Sequence, residues 1–244
     1  MSPSAADADA RAWASLRDDA SAPYRRAGRF AWHFARGKLR WDPVFGHLAA
    51  AGLIAPHARV LDIGCGQGLV ASIVQAAGAA ARAGRWPVAW GEPPAGARVT
   101  GIELMPRDVA RARRALGDSA EFVCADMRSA PFPAADTIVL LDVLHYVSIA
   151  EQDAVLARAR AALGPSGRLV LRVGDADSRH AFASGQWVDR VVAVLRRGRA
   201  VPLHGRTLAQ WTARLVALGF AVTSRPMRAG TPFANVLLVG TVAT

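Results

Sequence analysis

Short apolar runs alternate with amphipathic segments from residue 60 onward. The runs predict strands near 59–63, 98–102, 121–124, 136–141 and 167–173. Apolar positions at helical spacing between them predict helices at about 68–78, 107–116 and 151–163. Strands that alternate with helices in this way are typical of a parallel sheet with helices on both faces.

The C-terminal end follows a different pattern. It predicts a helix at 207–218, followed by β-rich runs at 220–226 and 234–242. The two runs are separated by a short stretch with Gly and Pro, which favours an antiparallel hairpin. We therefore expect a mostly parallel sheet with one reversed strand.

Three segments differ from this alternation. Residues 13–55 carry aromatic and apolar positions at helical spacing, which predicts an N-terminal helical cap. Residues 78–97 are rich in Gly and Pro and predict an inserted loop. Residues 1–12 are small and polar, so we expect them to be disordered. The remainder, 56–244, has a normal length for one α/β domain.

A glycine-rich turn, in VLDIGCGQGLV at 60–70, follows the first predicted strand. Asp62 precedes Gly64, Gly66 and Gly68. Such a turn lets the backbone approach a ligand closely, and the next helix begins with unpaired N–H groups. The dinucleotide fingerprint G-x-G-x-x-G does not fit, because the third glycine comes one residue early.

Carboxylates also follow the later strands. Glu103 comes after the second strand and Asp126 after the third. Ligands of open α/β sheets bind at the carboxyl ends of the strands, and carboxylates there suit a cationic ligand. For each acid taken alone, a role as helix cap or turn former is the alternative interpretation.

The glycine turn and three later stretches resemble class I S-adenosylmethionine-dependent methyltransferases. The later stretches are VTGIELMP, FVCADM and LLDVLHYV, at 99–106, 122–127 and 140–147. The resemblance covers about residues 55–242 and implies a methyltransferase enzyme with S-adenosyl-L-methionine as cofactor. It also implies an α/β fold with a Rossmann-like, seven-stranded, mostly parallel sheet of order 3-2-1-4-5-7-6, in which strand 7 is antiparallel and helices lie on both faces.

The same resemblance implies roles for individual residues. In this family the first acid helps to hold the methionine amino group, and the glycine turn lies along the methionine and ribose. The second acid binds the ribose hydroxyls and the third binds the adenine amino group. Carried over, the cofactor-binding residues are Asp62, Gly64, Cys65, Gly66, Gly68, Glu103, Leu104, Asp126, Met127 and Asp142. The two first acids lie farther apart than is usual in the family, which the insertion at 78–97 explains.

The acceptor site depends on the stretch after the fourth strand. His145 is the candidate general base for a phenolic acceptor, with a pocket-wall role as the alternative. Tyr146 is a candidate substrate contact. The other predicted substrate contacts are Tyr24, Arg172 and Phe233.

This stretch also bears on the kind of acceptor. Nucleic-acid amino methyltransferases usually carry [DNS]-P-P-[YFW] here, whereas this chain reads DVLH at 142–145, which argues against base methylation. Metal-dependent catechol methyltransferases need acids after strands four and five, and Asp142 with Asp175 or Asp177 would be those acids. Metal-free relatives also carry Asp142, so we predict no metal site.

A narrower resemblance concerns FAWHFARGKLRWDPVF, LRVGDADSRHAF, QWVDRVV and GTPFANVLLV. These segments are similar to methyltransferases of bacterial aryl polyene pigment clusters, which use a fatty-acid-like pathway of secondary metabolism. The resemblance implies methylation of O or C on a small aromatic or acyl acceptor, with an acidic acyl carrier protein as a candidate partner.

The charge distribution is consistent with an acidic partner. The net charge is +11, with 29 arginines and one lysine, and residues 25–40 and 190–206 contain no acid. A positive field raises encounter rates with acidic partners by ~10 to 10³ at low salt. A solvated arginine-rich face is the alternative interpretation. An RNA- or protein-directed methyltransferase and a non-catalytic cofactor-binding partner protein are the competing functions.

The two cysteines and the apolar runs indicate the compartment. Cys65 and Cys124 have no metal-ligand spacing and are expected to be reduced. The chain has no signal-peptide pattern and no apolar run of the ~20 residues needed to span a bilayer. We therefore expect a cytoplasmic protein without membrane insertion.

Overall fold

The structure is a computed structural model that describes residues 4–177, 203–227 and 235–243. The described helices are α1 (Ala5–Ser21), α2 (Arg29–Trp41), α3 (Pro43–Ala50), α4 (Leu69–Arg82), α5 (Pro106–Leu116), α6 (Ile149–Ala162) and α7 (Leu208–Ala217). The described strands are β1 (Arg59–Ile63), β2 (Arg98–Glu103), β3 (Glu121–Cys124), β4 (Ala135–Leu141), β5 (Leu163–Gly174), β6 (Phe220–Pro226) and β7 (Asn235–Val242).

The seven strands form one sheet in the order β3-β2-β1-β4-β5-β7-β6. Strands β1, β2 and β3 pair in parallel, as do β4 and β5. Strand β7 is antiparallel to both β5 and β6. Strands such as β1 and β4 read as nearly continuous apolar runs because a parallel sheet is covered on both faces. The predicted fold class and strand order are confirmed.

Residue contacts divide the chain into two compact units, 1–127 and 128–244. The first unit contains α1 to α5 and β1 to β3, and the second contains β4 to β7 with α6 and α7. The division therefore falls inside the segment 56–244 that was predicted as one domain. The predicted N-terminal cap, 13–55, belongs to the first unit.

Helix α1 begins at Ala5, so the expected disorder of residues 1–12 does not hold for the described part of this stretch. The reason is a capping box, which the small polar composition hides. Ser4 Oγ accepts a hydrogen bond from Asp7 N at 3.2 Å, and the Asp7 carboxylate accepts one from Ser4 N at 3.3 Å. The indole Nε1 of Trp90 also donates to Asp9 Oδ1 at 3.1 Å, which ties this helix to the rest of the unit.

The segment 78–97 contains more regular structure than the predicted loop. Its alanine-rich start continues α4 to Arg82, as expected from the high helix propensity of alanine. A short 3-10 helix follows at Val88–Trp90. The guanidinium of Arg85 forms an ion pair with Asp19 of α1, with 3.0 Å between Nη2 and Oδ2. The insertion is therefore packed against α1 within the first unit.

Candidate active site

The glycine turn between β1 and α4 has the backbone conformation that its sequence predicts. Gly64, Gly66 and Gly68 have φ values of +73°, +55° and +79°, which only glycine adopts readily. A Cβ on Gly68 would also lie 2.7 Å from the Phe122 ring, whereas a Cβ on Gly66 would meet nothing within 4 Å. Gly68 is thus needed for packing, and the backbone at Gly66 is open to a ligand.

Glu103 fastens this turn to the end of β2. Its Oε2 accepts a hydrogen bond from Gly66 N at 3.0 Å, and its Oε1 accepts one from Met105 N at 2.9 Å. The backbone adds a further link, because Gly64 N donates to Ile102 O at 2.7 Å. A carboxylate has about four acceptor positions, so Glu103 retains capacity for ligand hydroxyls.

Asp62 is a buried carboxylate beside the turn. It is 3% exposed, and its Oδ2 has no hydrogen-bond partner in the part of the chain that the structure describes. Burial, followed by the negative charge of Glu103, raises the pKa of Asp62 to about 7. Burying a carboxylate without a partner is unfavourable. A cationic ligand group at this position would supply the missing charge.

Tyr24, a predicted substrate contact, is buried beside the glycine turn. It has no exposed surface, and its hydroxyl donates to Gln67 O of the glycine turn at 2.8 Å. Burial raises the pKa of Tyr24 well above its usual value. This tyrosine therefore supports the backbone of the glycine turn, and its predicted contact with the substrate stays a prediction.

Gln67 is a polar residue of the turn that sequence reasoning missed. It is 1% exposed, and neither Nε2 nor Oε1 has a hydrogen-bond partner among the described residues. Buried side-chain amides are normally bonded, so this one is a candidate ligand contact. The one sequence signal for Gln67 was a polar residue between two glycines of the motif, at a position where the motif itself specifies no residue type.

The remaining predicted cofactor residues of the first unit follow β1, β2 and β3. Leu104 is an exposed apolar side chain, at 41%. Asp126 and Met127 are half-buried just after β3, where Ala125 N donates to Glu103 O at 3.0 Å. Cys65 is buried, and burial raises the pKa of its thiol.

Arg172 in the second unit forms an ion pair with Asp142. Its side chain is 2% exposed; Nε lies 2.9 Å from Asp142 Oδ1, and Nη2 binds Oδ2. The register of β4 and β5 pairs Leu141 with Arg172, which brings the next residue, Asp142, to the guanidinium. The ion pair could not be predicted without this register, and the substrate contact of Arg172 stays a prediction. The carboxylate of Asp142 is thereby oriented, with its side chain 28% exposed.

His145 and Tyr146 lie together on a short 3-10 helix at Leu144–Tyr146. Both are half-buried, and their ring centroids are 4.1 Å apart with planes at 51°. The predicted base and the predicted acceptor contact are thus neighbours in the second unit. The predicted substrate contact Phe233 lies outside the described residues.

The family follows from a comparison with known proteins. Residues 11–224 match a family model described as a methyltransferase domain, and the chain belongs to this family. With the glycine turn, the strand-end acids and the sheet order, this places the chain among the class I S-adenosylmethionine-dependent methyltransferases. The predicted family is confirmed.

One curated relative matches part of the chain. The carboxy-S-adenosyl-L-methionine synthase of Chromohalobacter salexigens is 36% identical over 134 residues, which are 51% of this chain and 44% of the relative. The chain therefore matches less than half of that relative's length.

Solved structures share the fold. An O-methyltransferase family protein from Burkholderia thailandensis has a TM-score of 0.61 at 20% identity, covering 90% of this chain and 62% of that one. The magnesium protoporphyrin IX methyltransferase of Synechocystis with bound SAH has a TM-score of 0.58 at 20% identity, covering 93% and 98%. At 20% identity these similarities show a shared fold and nothing further.

Within the described residues, no helix is both long and apolar enough to cross a membrane.

Proposed function

We propose that this protein transfers the methyl group of S-adenosylmethionine to an oxygen or carbon atom of a small aromatic or acyl acceptor. The assignment of the cofactor rests on the buried Oδ2 of Asp62, which has no hydrogen-bond partner among the residues that the structure describes, beside a glycine turn that is open at Gly66. These two features suit a ligand with a cationic amino-acid end. When bound, the cofactor supplies an electrophilic methyl group on its sulfonium.

The residues of the first unit would bind this cofactor. Asp62 takes the methionine amino group, because that cation compensates its buried charge. Glu103 takes the ribose hydroxyls with the acceptor positions that the turn leaves available. Leu104, Asp126 and Met127 take the adenine, for which the exposed apolar surface of Leu104 is suited.

The acceptor half is assigned to His145 and Tyr146. The imidazole of His145 takes the proton of an acceptor hydroxyl, which typically contributes ~10² to 10⁴ in rate. The ring of Tyr146, next to it, offers an aromatic surface for an aryl or acyl group. Orientation of the acceptor supplies the larger part of the rate, since displacement at a methyl group requires alignment.

We further propose that an acidic acyl carrier protein presents the acceptor, and that α2 contacts this partner. Arg29, Arg36 and Arg40 are exposed on this helix, together with Phe30 at 60%. Arginine and aromatic side chains are enriched in protein interfaces, and positive charge steers an acidic partner. Turnover on a carrier-bound aryl substrate should then fall as salt rises, whereas turnover on the free acid should not.

The cofactor assignment is tested by thermal-shift titration with S-adenosylmethionine, its demethylated product and NAD. A ligand at 100 times its Kd stabilises the folded state by ~2.7 kcal/mol. We expect both sulfur compounds to raise Tm and NAD to leave it unchanged; a response to NAD alone would contradict the assignment. Because the curated relative is a carboxy-S-adenosyl-L-methionine synthase, mass spectrometry of any co-purifying ligand should be included.

The acceptor assignment is tested by methyl transfer to hydroxyaryl acids, both free and carrier-bound. We expect transfer to at least one of these forms, and a loss of at least tenfold in kcat for His145→Ala with cofactor affinity intact. Transfer to RNA or protein instead would favour a macromolecular substrate. Cofactor binding without transfer to any acceptor class would indicate a non-catalytic partner protein.

A further inference from the structure

The side chain of Gln152 joins three points of the second unit. It lies on α6 and is 0% exposed. Its Nε2 lies 3.2 Å from the carbonyl oxygens of both Leu144 and Val147, and 3.1 Å from that of His204. A primary amide has two donor hydrogens, so these three acceptors share them. One side chain therefore holds both ends of the turn at 144–147 and also the backbone at residue 204.

Arg206 fixes the orientation of this amide. Its Nε donates to Gln152 Oε1 at 3.0 Å, and its Nη2 donates to Ile149 O at 3.0 Å and to Asp153 Oδ1 at 2.7 Å. The residue is 8% exposed, and its guanidinium lies 5.2 Å over the ring of Trp211. Because the amide oxygen faces a cation, the amide nitrogen must face the carbonyl oxygens.

A backbone hydrogen bond completes the connection to the acceptor side. The amide nitrogen of His204 donates to His145 O at 2.9 Å. Tyr146 N and Val147 N donate within the turn, to Val143 O and Leu144 O, each at 3.2 Å. The backbone of His145 is thus held from residue 204, and Gln152 holds residue 204 in turn.

We infer that Gln152 and Arg206 form a buried clamp that positions His145 and Tyr146 for the acceptor. This inference rests on the proposed function, in which these two rings face the acceptor. Gln152 and Arg206 are positioning residues: they act through the backbone of 144–147 and 203–206. Loss of the clamp should therefore lower kcat, while cofactor affinity should stay unchanged, because the cofactor contacts named in the proposed function lie in the first unit.

The test compares Gln152→Met with Leu156→Ala. Met keeps the length of the side chain but removes its donors. Leu156 is a 0% exposed residue of the same helix, and its truncation destabilises packing without removing a hydrogen bond of the clamp. Hydrogen exchange of peptides covering 143–148 and 203–207 is measured together with Tm, cofactor affinity and kcat.

For Gln152→Met we expect at least tenfold faster exchange in both peptides, at least tenfold lower kcat and cofactor affinity within twofold of the wild type. Leu156→Ala should lower Tm without this local change. Equal effects of the two variants, in proportion to their loss of Tm, would overturn the inference. If Gln152→Met does not fold, Arg206→Lys is used, since it keeps the charge but loses the Nε donor to Gln152.

The exchange measurement separates the clamp from the proposed function. If the wild type methylates no acceptor, the proposed function fails, but local exchange still reports whether the clamp holds the turn. If Gln152→Met leaves exchange at 143–148 and 203–207 unchanged, the clamp is wrong even when His145→Ala abolishes turnover.

Discussion

The turn after β1 and the turn after β4 are built by different means. The first takes its shape from glycine backbone conformations and leaves polar atoms of Asp62 and Gln67 without hydrogen-bond partners among the described residues. In the second, the buried amide of Gln152 bonds to three backbone carbonyls and to Arg206. A backbone turn with unbonded polar groups is suited to receive a ligand. A turn held by buried side chains is suited to present rings in a fixed geometry.

The largest expected effect is a difference in stability between alanine variants of two glycines in the first turn. Gly68→Ala should lower the free energy of unfolding by about 2 to 5 kcal/mol, because left-handed backbone strain adds to a clash with Phe122. Gly66→Ala should cost only about 1 to 2 kcal/mol of strain, but it places a methyl group where the backbone is open. Urea denaturation and cofactor titration measure both effects.

The pair serves as its own control. Gly66→Ala should weaken cofactor binding at least tenfold with a modest loss of stability. Equal losses of stability in the two variants would contradict the assignment of Gly68 to packing and Gly66 to ligand approach.

Asp62→Asn should remove the cofactor-induced rise in Tm and also change how the ligand-free protein responds to pH. The pKa of Asp62 is raised from 3.8 to about 7, so the folded state favours the protonated form. This contribution to stability is fully present below pH of about 4 and is lost as pH rises through about 7. Above pH 7 the variant should therefore have the higher Tm, by at least ~3 °C, roughly 1 kcal/mol.

Thermal scans of the ligand-free proteins from pH 4 to 9 check this sign. The wild-type affinity for S-adenosylmethionine should fall as pH falls below about 7, because the carboxylate becomes protonated. A constant difference in Tm across the whole pH range would show that Asp62 is not buried as a titrating acid.

The smallest expected effect concerns the end of the second turn. Ser148 caps α6, with its Oγ accepting from Glu151 N at 3.3 Å and the Glu151 carboxylate accepting from Ser148 N at 2.8 Å. Ser148→Ala should cost about 1 kcal/mol and leave cofactor affinity unchanged. If Ser148→Ala weakened cofactor binding, the proposal that the turn after β1 binds the cofactor independently of the turn after β4 would be wrong. Urea denaturation and cofactor titration provide the two readouts.

Residues whose roles depend on local backbone chemistry could be predicted from the sequence. The glycines at 64, 66 and 68 were assigned to a turn because a buried strand leads into them, and their φ values agree. The capping box of α1 was readable in principle from Ser4 and Asp7, but composition suggested disorder. The extension of α4 to Arg82 was missed because nearby Gly and Pro outweighed a run of alanines.

By itself, the sequence determined the alternation of strands and helices, the glycine turn and the acids that follow the strands, because these depend on spacing and backbone preference over a few residues. The tertiary structure alone decided that Tyr24 is buried, that Arg172 pairs with Asp142, and that Gln152 meets Arg206 from 54 positions away. Such contacts depend on strand register and on how each buried polar atom finds a partner. Strand register and the pairing of buried polar atoms are both determined by residues far apart in the chain, so no local sequence pattern predicts them.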